Sequence, residues 1–98
     1  MKKTYFTIAG TSHYHGTSFM KKGMKVKLIK EPENDFAKEA IRVEMDGLSQ
    51  VGYVANSSFT VQGDSMSAGR IYDKIGKKAI GKILYVTPTY VICKLVKE

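Results

Sequence analysis

The chain has 98 residues, of which 43% are hydrophobic and 26% charged, and its 16 basic against 9 acidic side chains leave a formal charge of +7. That length suits one domain spanning residues 1–98, the apolar share is enough for a core, and so default disorder and a two-domain layout are excluded. The charge favours polyanionic partners without pointing to a site. The lone Cys93 has no partner for an intramolecular disulfide, and its apolar surroundings mark it as a buried structural thiol. No stretch approaches the roughly 18 apolar residues of a membrane span, and Thr4 to Gly10 is too short and polar for a secretory core. A cytoplasmic protein without a membrane partner is expected.

Strand signals dominate in chain order. Tyr5 to Ala9 is the first, closed by Gly10. Met24 to Lys30 alternates, with Met24, Val26 and Leu28 on one face and Lys25, Lys27 and Ile29 on the other. Ala40 to Met45 repeats the pattern, setting Ile41, Val43 and Met45 against Arg42 and Glu44. Asp46-Gly47 is a turn signal, which makes Gln50 to Ala55 the partner strand of a hairpin. Ser67 to Lys74 can form a short helix that turns Ile71, Tyr72 and Ile75 toward the core. Lys78 to Thr87 and Tyr90 to Val96 flank Pro88-Thr89 as a last hairpin, with Ile80, Ile83, Tyr85, Val91 and Cys93 as its apolar positions. The fold class is therefore mainly β, a small six-stranded OB-like or SH3-like barrel with one or two short helices, because closure removes exposed strand edges.

Catalytic and metal signatures are lacking. His13 and His15 are only two potential ligands, short of the three or four that zinc requires, and surface or nucleic-acid-contacting imidazoles explain them better. Serine, histidine and aspartate occur without a nucleophile elbow, and Glu31, Glu33 and Asp35 read as local charge balance in a lysine-rich chain. No enzyme activity, metal or cofactor is expected. The segment Gly10 to Gly16 is small, polar and aromatic, which suits a binding loop as well as an ordinary turn.

Taken in order, Ala9-Gly10, Tyr14-His15-Gly16, Glu31-Pro32-Glu33-Asn34-Asp35-Phe36, Ala40-Ile41-Arg42-Val43 and Gly52-Tyr53-Val54 resemble the HIRAN pattern. The motifs lie within residues 5 to 55. HIRAN domains occur in some fork-remodelling DNA translocases and as free-standing bacterial proteins, so the resemblance implies an OB-like barrel, DNA binding and a setting in DNA repair. In the DNA-gripping type, aromatics stack on bases at a 3′ end, a carboxylate after the aromatic of the Pro-Asn motif meets the terminal hydroxyl, and basic residues hold phosphates. By that resemblance Phe36, Asn34 and Tyr14 keep the aromatic, the amide and the loop aromatic. The carboxylate position is Ala37, a stacking position is His13, and Asn56 stands where a lysine is expected, so the 3′-end set is incomplete.

The expected function is a non-catalytic module for single-stranded or frayed DNA ends, working by aromatic stacking and phosphate contacts. His13, Tyr14, Lys30, Asn34, Phe36, Arg42 and Tyr53 are its candidate contact residues, and Lys25, Lys27 and Arg70 are further phosphate candidates. The alternative is a protein-interaction or assembly module that kept the barrel and lost the DNA site. Self-association and protein partners stay open.

Overall fold

Alternation of buried and wet side chains in β2 and β3 turns one face of the sheet inward, and the way six strands close on one another sets where the site lies. The computed structural model describes residues 3–35, 37–57, 60–63 and 65–97, the last without its side chain. The strands are β1 (Tyr5–Ala9), β2 (Lys25–Lys30), β3 (Ile41–Met45), β4 (Ser49–Val54), β5 (Lys78–Val86) and β6 (Val91–Lys97), with one helix, α1 (Ala68–Tyr72), and a 3₁₀ turn at Thr11–His13. The pairings between these strands are all antiparallel, and the order β1-β4-β3-β2-β5-β6 closes into a barrel. The expected fold class is the observed one.

Val26 and Leu28 of β2 and Ile41 and Val43 of β3 are fully buried, whereas Lys25 and Lys27 are exposed, which is the expected alternation. β1 departs from it: Phe6, Thr7 and Ile8 are all buried. Its outer face is covered by the segment before α1, where Met66 donates its N–H to Tyr5 O (2.7 Å) and Thr7 Oγ1 bonds Ser65 Oγ (2.9 Å) and the N–H of Gln62 (3.2 Å). Helix α1 is shorter than expected. Ser67 caps it by accepting from Arg70 N, and Ile71 and Ile75 enter the core as anticipated.

In the last hairpin the expectation for Tyr85 and Ile80 is corrected. Tyr85 is 61% exposed and Ile80 is only half-buried. A bulge between Ile83 and Tyr85 inserts an extra residue, so Ile83 pairs with Cys93 while Tyr85 pairs with Ile92, and the inward parity passes from Ile83 to Val86. Ile80 precedes the bulge on the outer parity, with Ala79 and Ile83 buried on either side.

Cys93 is fully buried, and desolvation pushes its thiol far above the ordinary value of 9.0. Because the folded value is raised, this thiol's contribution to stability is complete below pH 9 and falls as pH rises, at about 1.4 kcal/mol per pH unit while only the unfolded chain ionises. Urea titrations at pH 8 and 10 should therefore show a steeper alkaline loss for the wild type than for Cys93→Val. Equal losses would contradict it.

Candidate nucleic-acid interface

The Glu-Pro-x-Asn turn follows β2 directly, and its chemistry is mainly internal. Glu31 accepts from three neighbours: Asn34 Nδ2 (3.0 Å) and Tyr53 Oη (2.9 Å) on Oε1, and Arg42 Nη1 (3.0 Å) on Oε2. Asn34 closes the turn, since its own N–H bonds Glu31 O (3.0 Å) and its Oδ1 accepts from Ala37 N (3.1 Å). Arg42 and Tyr53 are paired in register across β3 and β4, so the strands carry both onto one outer face. Arg42 Nε also lies 2.8 Å from Glu44 Oε2, an ion pair whose N–H is not aligned for a hydrogen bond. Residues from three separate motifs thus meet at one carboxylate.

A hydrogen bond from Gln50 works to lower the Tyr53 phenol, but desolvation, the bond to Glu31 and the negative charge of Glu31 hold it above the ordinary value. Tyr53 therefore keeps its proton and donates a hydrogen bond to Glu31.

Beside this network opens a cleft of about 410 Å³, walled by Tyr14, Asn34, Ala37, Tyr53 and Asn56 and floored by Ala40, Val54 and Ala68. Tyr14 is 41% exposed at its edge. The 3₁₀ turn places it, between Gly10 and Gly16, both with positive φ that favours glycine. Asn56 follows β4, and its Oδ1 accepts from Gly69 N (2.8 Å) at the start of α1. Its NH₂ group has no partner among the described residues and can donate to a ligand.

Three sequence candidates, Tyr14, Asn34 and Tyr53, therefore line one cleft. Phe36 lies outside the described residues. His13 is exposed but not on the cleft wall, and His15 donates Nε2–H to Leu48 O (3.0 Å). The two basic candidates sit elsewhere. Lys30 packs its ammonium 4.3 Å from the Tyr72 ring centre, and Arg42 is held between Glu31 and Glu44. Lys27 is paired with Asp46 at 2.7 Å. The neighbouring groove is lined by Glu31, Pro32, Glu33, Asn34 and Asp35, so the cleft has an acidic flank and no lysine or arginine in its described wall. Glu31 was the residue that sequence reading missed as an organiser; its signal was the place of a carboxylate immediately before Pro32, where β2 ends.

Among solved structures, the crystal structure of the HIRAN domain of human HLTF is similar to this chain, with a TM-score of 0.69 and 18% sequence identity over 95% of this chain and 72% of that one. At that identity the likeness speaks for the fold. No curated protein matches significantly. The HIRAN domain family model matches residues 1–58, the part that holds the turn, the Glu31 network and most of the cleft wall. On that match the chain belongs to the HIRAN domain family, a family of DNA-binding modules.

Proposed function

We propose that the protein is a non-catalytic module that holds single-stranded or frayed DNA, with a terminal or unstacked nucleotide seated in the Tyr14 cleft. The observation that carries this reading is the convergence of Tyr14, Asn34, and Tyr53 with Asn56, from three chain segments, around an apolar floor of Ala40, Val54 and Ala68. A nucleobase has a π-face for the Tyr14 ring and edge acceptors for the donor at Asn56. The acidic flank turns phosphates away from this wall, so the cleft takes base and sugar while the backbone leaves it.

Stacking on one aromatic is worth about 1–3 kcal/mol, which converts to roughly a 5- to 150-fold loss of affinity on truncation. Tyr14→Ala is expected to weaken binding of a labelled oligonucleotide by that factor while leaving the melting temperature nearly unchanged, because the side chain is half-exposed. Fluorescence anisotropy with parallel thermal melts checks both. Unchanged affinity sinks the reading; a large loss of stability or of self-association instead favours an interaction module.

A further inference from the structure

The cleft wall has no cation among the described residues, yet the chain carries +7. Part of that charge is organised on the other side of the barrel. Lys82 of β5 is paired in register with Lys25 of β2 on one side and with Lys94 of β6 on the other. Lys25 and Lys82 are exposed and Lys94 is half-buried. Adjacent strands are about 4.8 Å apart, so the three form a transverse row roughly 10 Å long. None of them has an ion pair among the described residues. Like charges directly opposite across strands are destabilising, so the row is an arrangement that an anion would relieve.

A second feature adjoins it. Lys94 pairs with Tyr5 on β1, and Tyr5 is one wall of a groove of about 460 Å³ whose other walls include Tyr90, Ile92, Leu84, Gln62 and Ser65. In the closed order β1-β4-β3-β2-β5-β6, β5 lies opposite β4 and β6 opposite β3. This face is therefore turned away from the Tyr14 cleft.

We infer that the outer face of β2, β5 and β6, with Tyr5 at its border, is a second contact surface for single-stranded nucleic acid, with phosphates on the Lys25-Lys82-Lys94 row and bases against the Tyr5-Tyr90 groove. Charge complementarity selects the partner, and aromatic walls beside a cationic row are what a single strand requires. The inference rests on the nucleic-acid reading above, but not on the cleft. A strand that leaves the cleft can continue around a body of 34 × 30 × 27 Å to reach this face.

The test compares oligothymidylates of about 4 and about 16 nucleotides, the range that small barrels of this kind engage, by anisotropy across a salt series. The wild type, Tyr14→Ala and the triple variant Lys25→Gln, Lys82→Gln, Lys94→Gln are measured. For the 16-mer the triple variant is expected to bind at least tenfold more weakly at low salt. Its slope of log affinity against log salt should be shallower by about 2, since each phosphate contributes about 0.7. The 4-mer, engaged by the cleft, should change less than twofold, and thermal melts should show the triple variant at least as stable as the wild type. An unchanged 16-mer slope, or equal losses for both lengths, overturns the inference. Row-dependent binding to phosphatidylserine vesicles with an unchanged 16-mer would assign the face to a membrane surface instead. If Tyr14→Ala spares the 4-mer while the slope change stands, the cleft reading fails and this one does not.

Discussion

Gly52→Ala is expected to lower the melting temperature by roughly 10–20 °C, which corresponds to about 2–3 kcal/mol in a chain of this size. A Cβ at this position would stand 2.7 Å from Ala9 O and 2.8 Å from Ile8 Cγ2. The first is backbone in β1, which is hydrogen-bonded to β4 and β6 and cannot withdraw without opening the barrel. Real Cβ atoms do not approach so closely, so β1 and β4 must separate locally. Gly76→Ala is the internal control: its Cβ would meet nothing within 4 Å and its φ is not in the left-handed region. There the effect should be a gain of about 0.4–1 kcal/mol, from reduced freedom of the unfolded chain. Thermal melts of both variants decide the matter, and a Gly52→Ala protein as stable as the wild type would show that the joint between β1 and β4 is not rigid.

Glu31→Ala should produce the second largest effect, a loss of about 1–3 kcal/mol. Breaking a fully buried ion pair costs more, but the Glu31 and Arg42 side chains are 20% and 33% exposed, and solvent screens the pair. The loss has three parts, because Asn34, Tyr53 and Arg42 all give up an acceptor together. Arg42 retains Glu44, which limits its share. Glu31→Gln should be intermediate, keeping an acceptor oxygen while losing the charge. The cleft should respond as well, since the turn that holds Asn34 and Ala37 and the orientation of Tyr53 both depend on Glu31. Oligonucleotide affinity should fall in Glu31→Ala even at temperatures where the protein is fully folded, a result that urea titration and anisotropy on the same sample can separate. The Tyr53 bond adds an alkaline signature. With its folded value raised, the phenol contributes stability that is complete below pH 10 and declines as the pH rises above it, and Tyr53→Phe should flatten that decline.

These two variants also show why short motifs were informative and incomplete. Gly52, Tyr53, Arg42, Asn34 and Glu31 could each be read as part of an ordered pattern, and the pattern led to the right barrel. Their roles were not legible. Arg42 looked like a phosphate contact because arginine on the wet side of a strand is a cation available to solvent. Pairing in register with Tyr53, and the position of Glu31 at the end of β2, instead make it an internal counterion. Lys30 likewise looked free and lies over Tyr72, a residue 42 positions later that only the docking of α1 brings near. Tyr85 was misread because a bulge is a property of a strand pair; nothing in the alternation of a single strand announces the extra residue.

The amino-acid sequence alone determined the strand positions, the inward faces of β2 and β3, the burial of Cys93 and the family pattern, because each rests on local periodicity or on residue order. Only the tertiary structure decided which candidates share a surface. Barrel closure gathers Tyr14, Asn34, Tyr53 and Asn56 on one side and aligns Lys25, Lys82 and Lys94 on the other. Those neighbourhoods depend on strand register between distant segments, and local sequence does not encode register.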